Sequence, residues 1–197
     1  MQKVSLYRIA ELSGGYQSRK GVVEDPTGSH ALLQVRDFDA RRRGVDVESM
    51  ARFFPESSSG SRELREGDVV VLSKGSNPFA WRVEGLPEPA LAGSMFFVLR
   101  PRKGLLSGYL AWYLNQVPAR RHLERMSTTG AHMPVVRRKD LETLEVPLPD
   151  MQTQRRVVAL VASAERQRDL HRAIADRRRD LAFRSCLEFL TRGSERA

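Results

Sequence analysis

The feature that most constrains this chain is a stretch of 40 residues, from Met151 to about Leu190, that contains neither glycine nor proline. Asp150 stands directly before it as a helix N-cap candidate, so the pattern predicts one long helix. Forty helical residues extend roughly 60 Å at 1.5 Å per residue. A domain of about 150 residues is roughly 30–35 Å across, so the helix is longer than the domain before it.

This predicted helix has only a thin apolar stripe, and it is largely charged between residues 165 and 180. A helix of this kind cannot be buried all round, and the stripe favours a two-helix coiled coil. The second helix must come from a partner, because this chain contains only one. The alternative is a helix that breaks and folds back on its own domain. The stripe consists of Val157, Leu160, Val161, Ala164, Leu170, Ala173, Ile174, Leu181 and Leu187.

The residues before this helix predict a mixed α+β domain over 1–149, followed by the helical segment 150–197. Turn-rich stretches such as Ser13-Gly14-Gly15 separate short apolar runs, which is typical of strands. Over residues 105–126 the apolar residues recur at helical spacing instead, with a break or restart of the helix at Pro118. The predicted strands are Lys3–Ile9, His30–Val35, Asp68–Ser73, Trp81–Glu84 and Met95–Leu99.

The net charge of +9 is concentrated in one part of the chain. Residues 1–99 hold 13 basic and 13 acidic residues, whereas residues 100–139 hold 9 basic residues and one acidic residue. A basic stretch of this density favours a polyanion such as nucleic acid. The alternative is an ordinary solvated face.

Several classes of protein are excluded or disfavoured. No apolar run is long enough to span a membrane, and the first residues lack the apolar core of a signal peptide. The single Cys186 forms no internal disulfide, which is typical of a cytoplasmic protein. The four histidines are far apart, so we expect no metal site.

No catalytic motif is complete. Asn77-Pro78-Phe79 resembles the catalytic loop of amino-group DNA methyltransferases, but its second proline and a glycine-rich S-adenosylmethionine loop are missing. Asp68 and Lys74 could suggest a nuclease, yet Leu72 stands where a metal-binding carboxylate is needed. We therefore expect a chain without catalytic residues and without a cofactor of its own.

What remains is a set of polar and basic side chains on predicted loops and helix ends. Arginine, glutamine and asparagine are suited to reading base edges, and lysine, serine and threonine more often hold phosphates. Our candidate DNA-binding residues are Tyr16, Gln17, Ser18, Arg19, Lys20, Lys74, Asn77, Arg120, Arg121, Arg125, Thr129, Arg137 and Arg138.

The order of these pieces resembles the specificity subunits of type I restriction–modification systems. The most specific part lies between residues 127 and 160, and looser landmarks are Leu64–Asp68, Gly75, Leu99-Arg100-Pro101 and Tyr109-Leu110. In that family a Ser/Thr-Gly loop and a basic segment precede a Val/Ile-Pro-Leu-Pro motif and a glutamine that opens a long helix. The corresponding pieces here are Thr129-Gly130, Arg137–Leu141, Val146–Pro149 and Gln154.

The resemblance implies a target recognition domain with a curved sheet and short helices, followed by a spacer helix. Family members usually carry two such domains and two helices, so it also implies a half-subunit. Two copies could then pair their helices, or the chain could pair with a different half, or be a shortened piece. Catalysis would belong to partners: a methyltransferase subunit that uses S-adenosylmethionine, and a translocating nuclease subunit where the system cleaves.

Two hypotheses follow. The first is a non-catalytic, sequence-specific DNA-recognition subunit of a restriction–modification or related phage-defence complex, which positions its partners on a bipartite target. The alternative is an adaptor that uses its helix to bind a protein and contacts nucleic acid without sequence choice. The target sequence, its spacer, and which loop residues read bases are not determined by the sequence.

Overall fold

The computed structural model describes residues 2–56, 63–75, 77–126 and 135–194; for Met126 and residues 190–194 it describes only the backbone. The chain divides into two compact units, Met1–Arg155 and Arg156–Ala197.

A four-stranded antiparallel sheet forms the centre of the first unit. It contains β2 (Ala10–Gly14), β5 (Val69–Leu72), β6 (Ala80–Arg82) and β8 (Phe96–Pro101), in the order β2-β8-β5-β6. All four residues of β5 are buried, as the apolar run predicts. The strands predicted over Asp68–Ser73, Trp81–Glu84 and Met95–Leu99 are therefore confirmed, with small shifts of their ends.

A second, three-stranded sheet has the order β4-β3-β7, with β3 at His30–Leu33, β4 at Ala51–Phe53 and β7 at Ala90–Ala92. Here β3 is antiparallel to β4 and parallel to β7. The strand predicted from His30 is confirmed but ends before a 3₁₀ turn over Val35–Asp37. The sequence did not predict β4 and β7, which have three residues each.

The prediction of one strand over Lys3–Ile9 was wrong. Residues Lys3–Ser5 form β1, Leu6–Ile9 form the single helical turn α1, and β2 follows at once. The turn forms because Leu6 is buried and its N–H donates to the Leu144 carbonyl oxygen at 2.9 Å. Two-residue alternation cannot distinguish this short turn from a strand.

The turn predicted at Ser13-Gly14-Gly15 was also wrong, because Ser13 and Gly14 lie in β2. Gly15 is explained by close packing instead. A Cβ atom at Gly15 would lie 2.1 Å from the Gly93 carbonyl oxygen, so no larger residue fits there.

The two larger sheets share one core. Ala31 and Leu33 of β3 pack in the same cluster as Val70 of β5 and Val98 of β8. Aromatic rings fill its middle: the Phe38 ring meets those of Phe79, Trp81 and Phe96 at centroid distances of 4.9, 5.4 and 5.8 Å. This packing fixes the position of both sheets within the first unit.

Three helices and a last strand complete this unit. They are α2 (Ser107–Leu114), α3 (Val117–Met126), α4 (Arg138–Glu142) and β9 (Glu145–Pro147), and β9 pairs with β1. Pro118 is the second residue of α3, which confirms the predicted restart of the helix. The hydroxyls of Tyr109 and Tyr113 donate to the carbonyl oxygens of Pro147 and Glu145, so α2 holds β9 in place.

The last element is α5, which runs from Met151 to Ser194. Its N-cap is Asp150, whose Oδ1 accepts a 2.8 Å hydrogen bond from the Thr153 N–H. The long helix and its predicted cap are thus confirmed. So is the fold class, a mixed α+β domain with open curved sheets and short helices followed by a long helix.

Candidate nucleic-acid interface

The register of the four-stranded sheet brings several loops to one place. Because neighbouring strands are antiparallel, β2 and β5 end where β6 and β8 begin. We call this the loop end of the sheet: residues 15–20, 73–75, 77–79 and 93–95. Two of the predicted DNA-binding loops, which are more than 50 residues apart in sequence, therefore lie at the same end of the domain.

A cavity of about 620 Å³ opens at the loop end. Gln17 and Ser18 line it from the first loop and Lys74 from the second, together with Gln34 and Arg36 at the end of β3. The described residues contain no carboxylate that pairs with Lys74, so its ammonium group is available to an anion. The wall combines these polar groups with apolar ones from Tyr16, Val22, Leu32, Val35, Met95 and Phe96.

The loop of residues 15–20, which we call the first loop, contains both packing and exposed residues. Tyr16 is only 3% exposed, its ring lies 5.0 Å from that of Phe53, and its hydroxyl accepts from the Glu56 N–H. Selecting Tyr16 as a surface contact was therefore a misinterpretation, since burial of the ring makes it a core residue. Ser18 holds the loop by donating to the Gly21 carbonyl oxygen. The loop's exposed side chains are Gln17, Arg19 and Lys20.

The loop that carries Lys74 and Asn77 joins β5 to β6. Lys74 is half-buried and forms an isolated antiparallel bridge with Val135. Asn77 is exposed, and its Oδ1 accepts a hydrogen bond from Nη2 of Arg120. The same Nη2 donates to the Pro78 carbonyl oxygen at 3.0 Å. The structure thus joins two of the predicted residues, Asn77 and Arg120, in one contact.

The remaining candidates fall into three groups. Arg121 and Arg125 are exposed one turn apart on α3, opposite the buried Ala119 and Leu123. Arg137 and Arg138 are exposed but pair with carboxylates: Arg137 Nε donates to Asp140 at 3.0 Å and Arg138 Nε to Glu142 at 2.7 Å. Thr129 lies outside the described residues.

A basic loop at Arg41–Arg43 was not predicted from the sequence. The guanidinium of Arg42 stacks over the Phe79 ring at 5.2 Å, so this loop lies beside the β5–β6 loop. The signal was the run of three arginines itself. The net charge of residues 1–99 does not reveal these arginines, because the acidic residues elsewhere in that range cancel their charge.

Asp39 organises this arginine loop. Its carboxylate accepts from the N–H groups of Arg41 at 2.8 Å, Arg43 at 3.0 Å and Gly44 at 3.2 Å. Partial burial acts to raise the pKa of the Asp39 carboxyl, but these hydrogen bonds outweigh it and hold the pKa below its usual range. The loop is therefore shaped by a carboxylate that stays ionised.

One residue of each possible catalytic motif is buried in the first unit. Phe79 of Asn77-Pro78-Phe79 is buried in the core, and the buried Asp68 is bound through both oxygens by Arg100 at 2.8 and 2.7 Å. In the described parts of the chain, no group of three or more His, Cys, Asp or Glu side chains could hold a metal ion. The same parts contain no helix that is long and apolar enough to cross a membrane.

Comparison with known proteins gives a consistent result at the level of fold. No protein-family profile and no curated protein sequence matches this chain. Among solved structures, a chain from a study of complex assembly and conformational transition of the type I restriction–modification system matches with a TM-score of 0.61 and 22% identity. That match covers 89% of this chain and 41% of the solved one.

Two further solved structures are similar. The HsdS subunit of Thermoanaerobacter tengcongensis gives a TM-score of 0.57 at 20% identity, over 84% of this chain and 37% of that one. The S subunit of a type I restriction–modification system from M. genitalium gives 0.54 at 12% identity, over 84% and 39%. The chain therefore has the fold of type I restriction–modification specificity subunits and spans about two fifths of the length of each solved chain.

Proposed function

We propose that this chain is a non-catalytic, sequence-specific DNA-recognition subunit of a restriction–modification or related phage-defence complex. The observation that carries the proposal is the loop end of the sheet, where the first loop, the β5–β6 loop and the arginine loop come together on a domain with the specificity-subunit fold. Loops that converge on a rigid sheet are suited to enter a DNA groove together.

The roles of the side chains differ in this proposal. Lysine and arginine residues without carboxylate partners in the described structure, such as Lys74, Arg121 and Arg125, would hold phosphates and supply salt-dependent affinity. Arg137 and Arg138 would contribute less, because Asp140 and Glu142 already compensate their charge. Exposed amides such as Gln17 would contact base edges.

Chemistry on the DNA would belong to partner subunits. The partners we propose are a methyltransferase subunit, which would bind S-adenosylmethionine, and in a system that cleaves DNA a translocating nuclease subunit. This chain would position these partner subunits on the target. That role requires a rigid attachment and no reactive groups in this chain.

We further propose that the apolar stripe of α5 is covered by the same helix of a second copy. Large apolar side chains remain exposed along the helix, with Leu160 71% and Leu170 61% exposed. Four acidic residues lie among seven arginines from Glu165 to Arg184, so two copies could pair opposite charges. A symmetric pair would read a palindromic target of two half-sites separated by unread base pairs.

The test is selection from a random duplex library by the full chain together with its methyltransferase. We expect enrichment of one bipartite sequence. Replacing Lys74 with Gln should lower affinity about tenfold at moderate salt and reduce the salt dependence. The control is Lys3→Gln. Lys3 is exposed on β1, which precedes the start of β2, whereas the loop end of the sheet lies where β2 ends. A library that emerges without any preferred sequence would favour the adaptor hypothesis instead.

A further inference from the structure

The loop between β5 and β6 is clamped on both sides. On one side, Ser73 donates to the Met95 carbonyl oxygen through its N–H at 2.8 Å and its hydroxyl at 2.7 Å. On the other, the side-chain amide of Asn115 makes two hydrogen bonds to the backbone of Ala80, at 3.0 and 2.8 Å. The loop therefore projects from fixed ends, and a side chain near its tip has a defined starting point.

Asn77 is the exposed amide of this loop, and its orientation follows from its partner. A guanidinium group can only donate hydrogen bonds, so the Asn77 atom that faces Arg120 Nη2 is the carbonyl oxygen Oδ1. The NH₂ group of Asn77 must then point away from Arg120. The contact fixes which end of the amide is presented to a ligand.

Arg120 itself is poorly placed to contact DNA. Its side chain is half-buried, and its Nη2 is already shared between Asn77 and the Pro78 carbonyl oxygen. Its Nε is enclosed and makes no hydrogen bond within the described structure. The neighbouring Arg121 is exposed and makes no ion pair to any described carboxylate. Two adjacent arginines of α3 therefore have different environments.

We propose that Asn77 reads the major-groove edge of a purine and that Arg120 is a positioning residue, which orients the Asn77 amide without touching DNA. This rests on the proposed function, since it assigns a specificity determinant within the same interface. Both purines expose N7 as a hydrogen-bond acceptor in the major groove, and the outward NH₂ of Asn77 is a matching donor. Oδ1 keeps a second lone pair, with which it can accept from an adenine amino group.

The experiment compares binding of the full chain to its selected duplex and to duplexes altered at each position, over a range of salt concentrations. The variants are Asn77→Ala, Arg120→Met, Arg120→Lys, the Asn77→Ala/Arg120→Met pair, and Arg121→Ala as the matched control. Arg120→Met keeps an unbranched side chain of similar length on α3 and removes the donors. Thermal unfolding of each variant verifies that it is folded. Asn77→Ala changes an exposed loop residue, so it tests the base contact even if an Arg120 variant unfolds.

We expect Asn77→Ala and Arg120→Met to lose about 10- to 100-fold of the preference for a purine at one and the same position of each half-site. Their salt slopes should equal that of the unaltered chain, and the pair should be no worse than either single variant. Arg120→Lys, which can still donate to Oδ1, should recover part of the preference. Arg121→Ala should weaken binding to all duplexes equally and reduce the salt slope by about one.

Three results would overturn the proposal. A reduced salt slope for Arg120→Met, as for Arg121→Ala, would make Arg120 a phosphate contact. Additive losses in the paired variant would show that the two side chains act independently. An unchanged preference in Asn77→Ala would remove its base contact. A lack of any sequence preference in the unaltered chain is a different result, because it would overturn the proposed function itself.

Discussion

The side-chain amide of Gln154 makes three hydrogen bonds inside the first unit. It donates to the carbonyl oxygens of Gly104 and Pro149, and its Oε1 accepts from the Leu106 N–H, all at 2.9 Å. The residue is 0% exposed. It therefore satisfies buried backbone groups at the start of α2 and at the beginning of α5, which would otherwise lack partners.

Replacing Gln154 with Leu should leave these backbone groups without partners in a buried site. We expect the free energy of unfolding of the first unit to fall by roughly 2–4 kcal/mol, measured by urea denaturation. The control is Gln152→Leu, two residues away on the exposed side of the same turn, which should change stability by less than about 0.5 kcal/mol. Equal losses in the two variants would contradict this role of Gln154.

Single residues also show how much of the candidate interface the sequence predicts. Residue type alone indicates that Lys74 and Arg121 can meet an anion, and the structure leaves both without a described carboxylate partner. Residue type does not indicate that the Tyr16 ring packs on Phe53, or that Arg120 turns towards Asn77. Those outcomes depend on contacts between residues about 40 positions apart, which no local pattern reports.

Among the elements, β5 and α5 could be predicted because their signals are local. One is a continuous apolar run and the other is a long stretch without glycine or proline. The strands β4 and β7 could not, because three residues are too few to show an alternating pattern. They form because β3 offers a partner edge on each side, and this pairing depends on the tertiary fold.

The exposed apolar stripe of α5 gives a prediction about association. Replacing both Leu170 and Ile174 with Ala should weaken self-association roughly 30- to 1,000-fold, since two side chains that the proposed pairing buries would be truncated on each helix. Alanine preserves helix propensity, so the helix itself should persist. Sedimentation velocity over a concentration series measures the dissociation constant.

The matched control is Arg168→Ala/Arg172→Ala, because these positions have the same four-residue spacing and lie across the helix from Leu170 and Ile174. This variant should associate nearly as well as the unaltered chain. A chain that is monomeric at all concentrations, or that responds equally to both pairs of substitutions, would argue against pairing through the stripe.

For the whole molecule, the proposed pairing of helices predicts how binding depends on the number of half-sites. The full chain should prefer a duplex with two half-sites over one with a single half-site by about 100-fold, because the second contact becomes intramolecular. A chain ending at Ala164 should keep the affinity for one half-site and lose this preference. Gel-shift titration of both duplexes measures the ratio, with the Arg168→Ala/Arg172→Ala chain as a full-length control. A shortened chain that retained the ratio would contradict the prediction.

The pairing of β1 with β9 has a consequence for how such a domain can be exchanged. Lys3 lies opposite Pro147, so a strand near the start of the first unit lies beside the strand that shortly precedes α5. A segment whose two ends are adjacent can be transplanted between unrelated flanking sequences as a cassette, because neither junction has to cross the fold. Recombination at residues near 2 and 149 would thus replace the loop end of the sheet and the arginine loop in one step and leave the sequence of α5 unchanged.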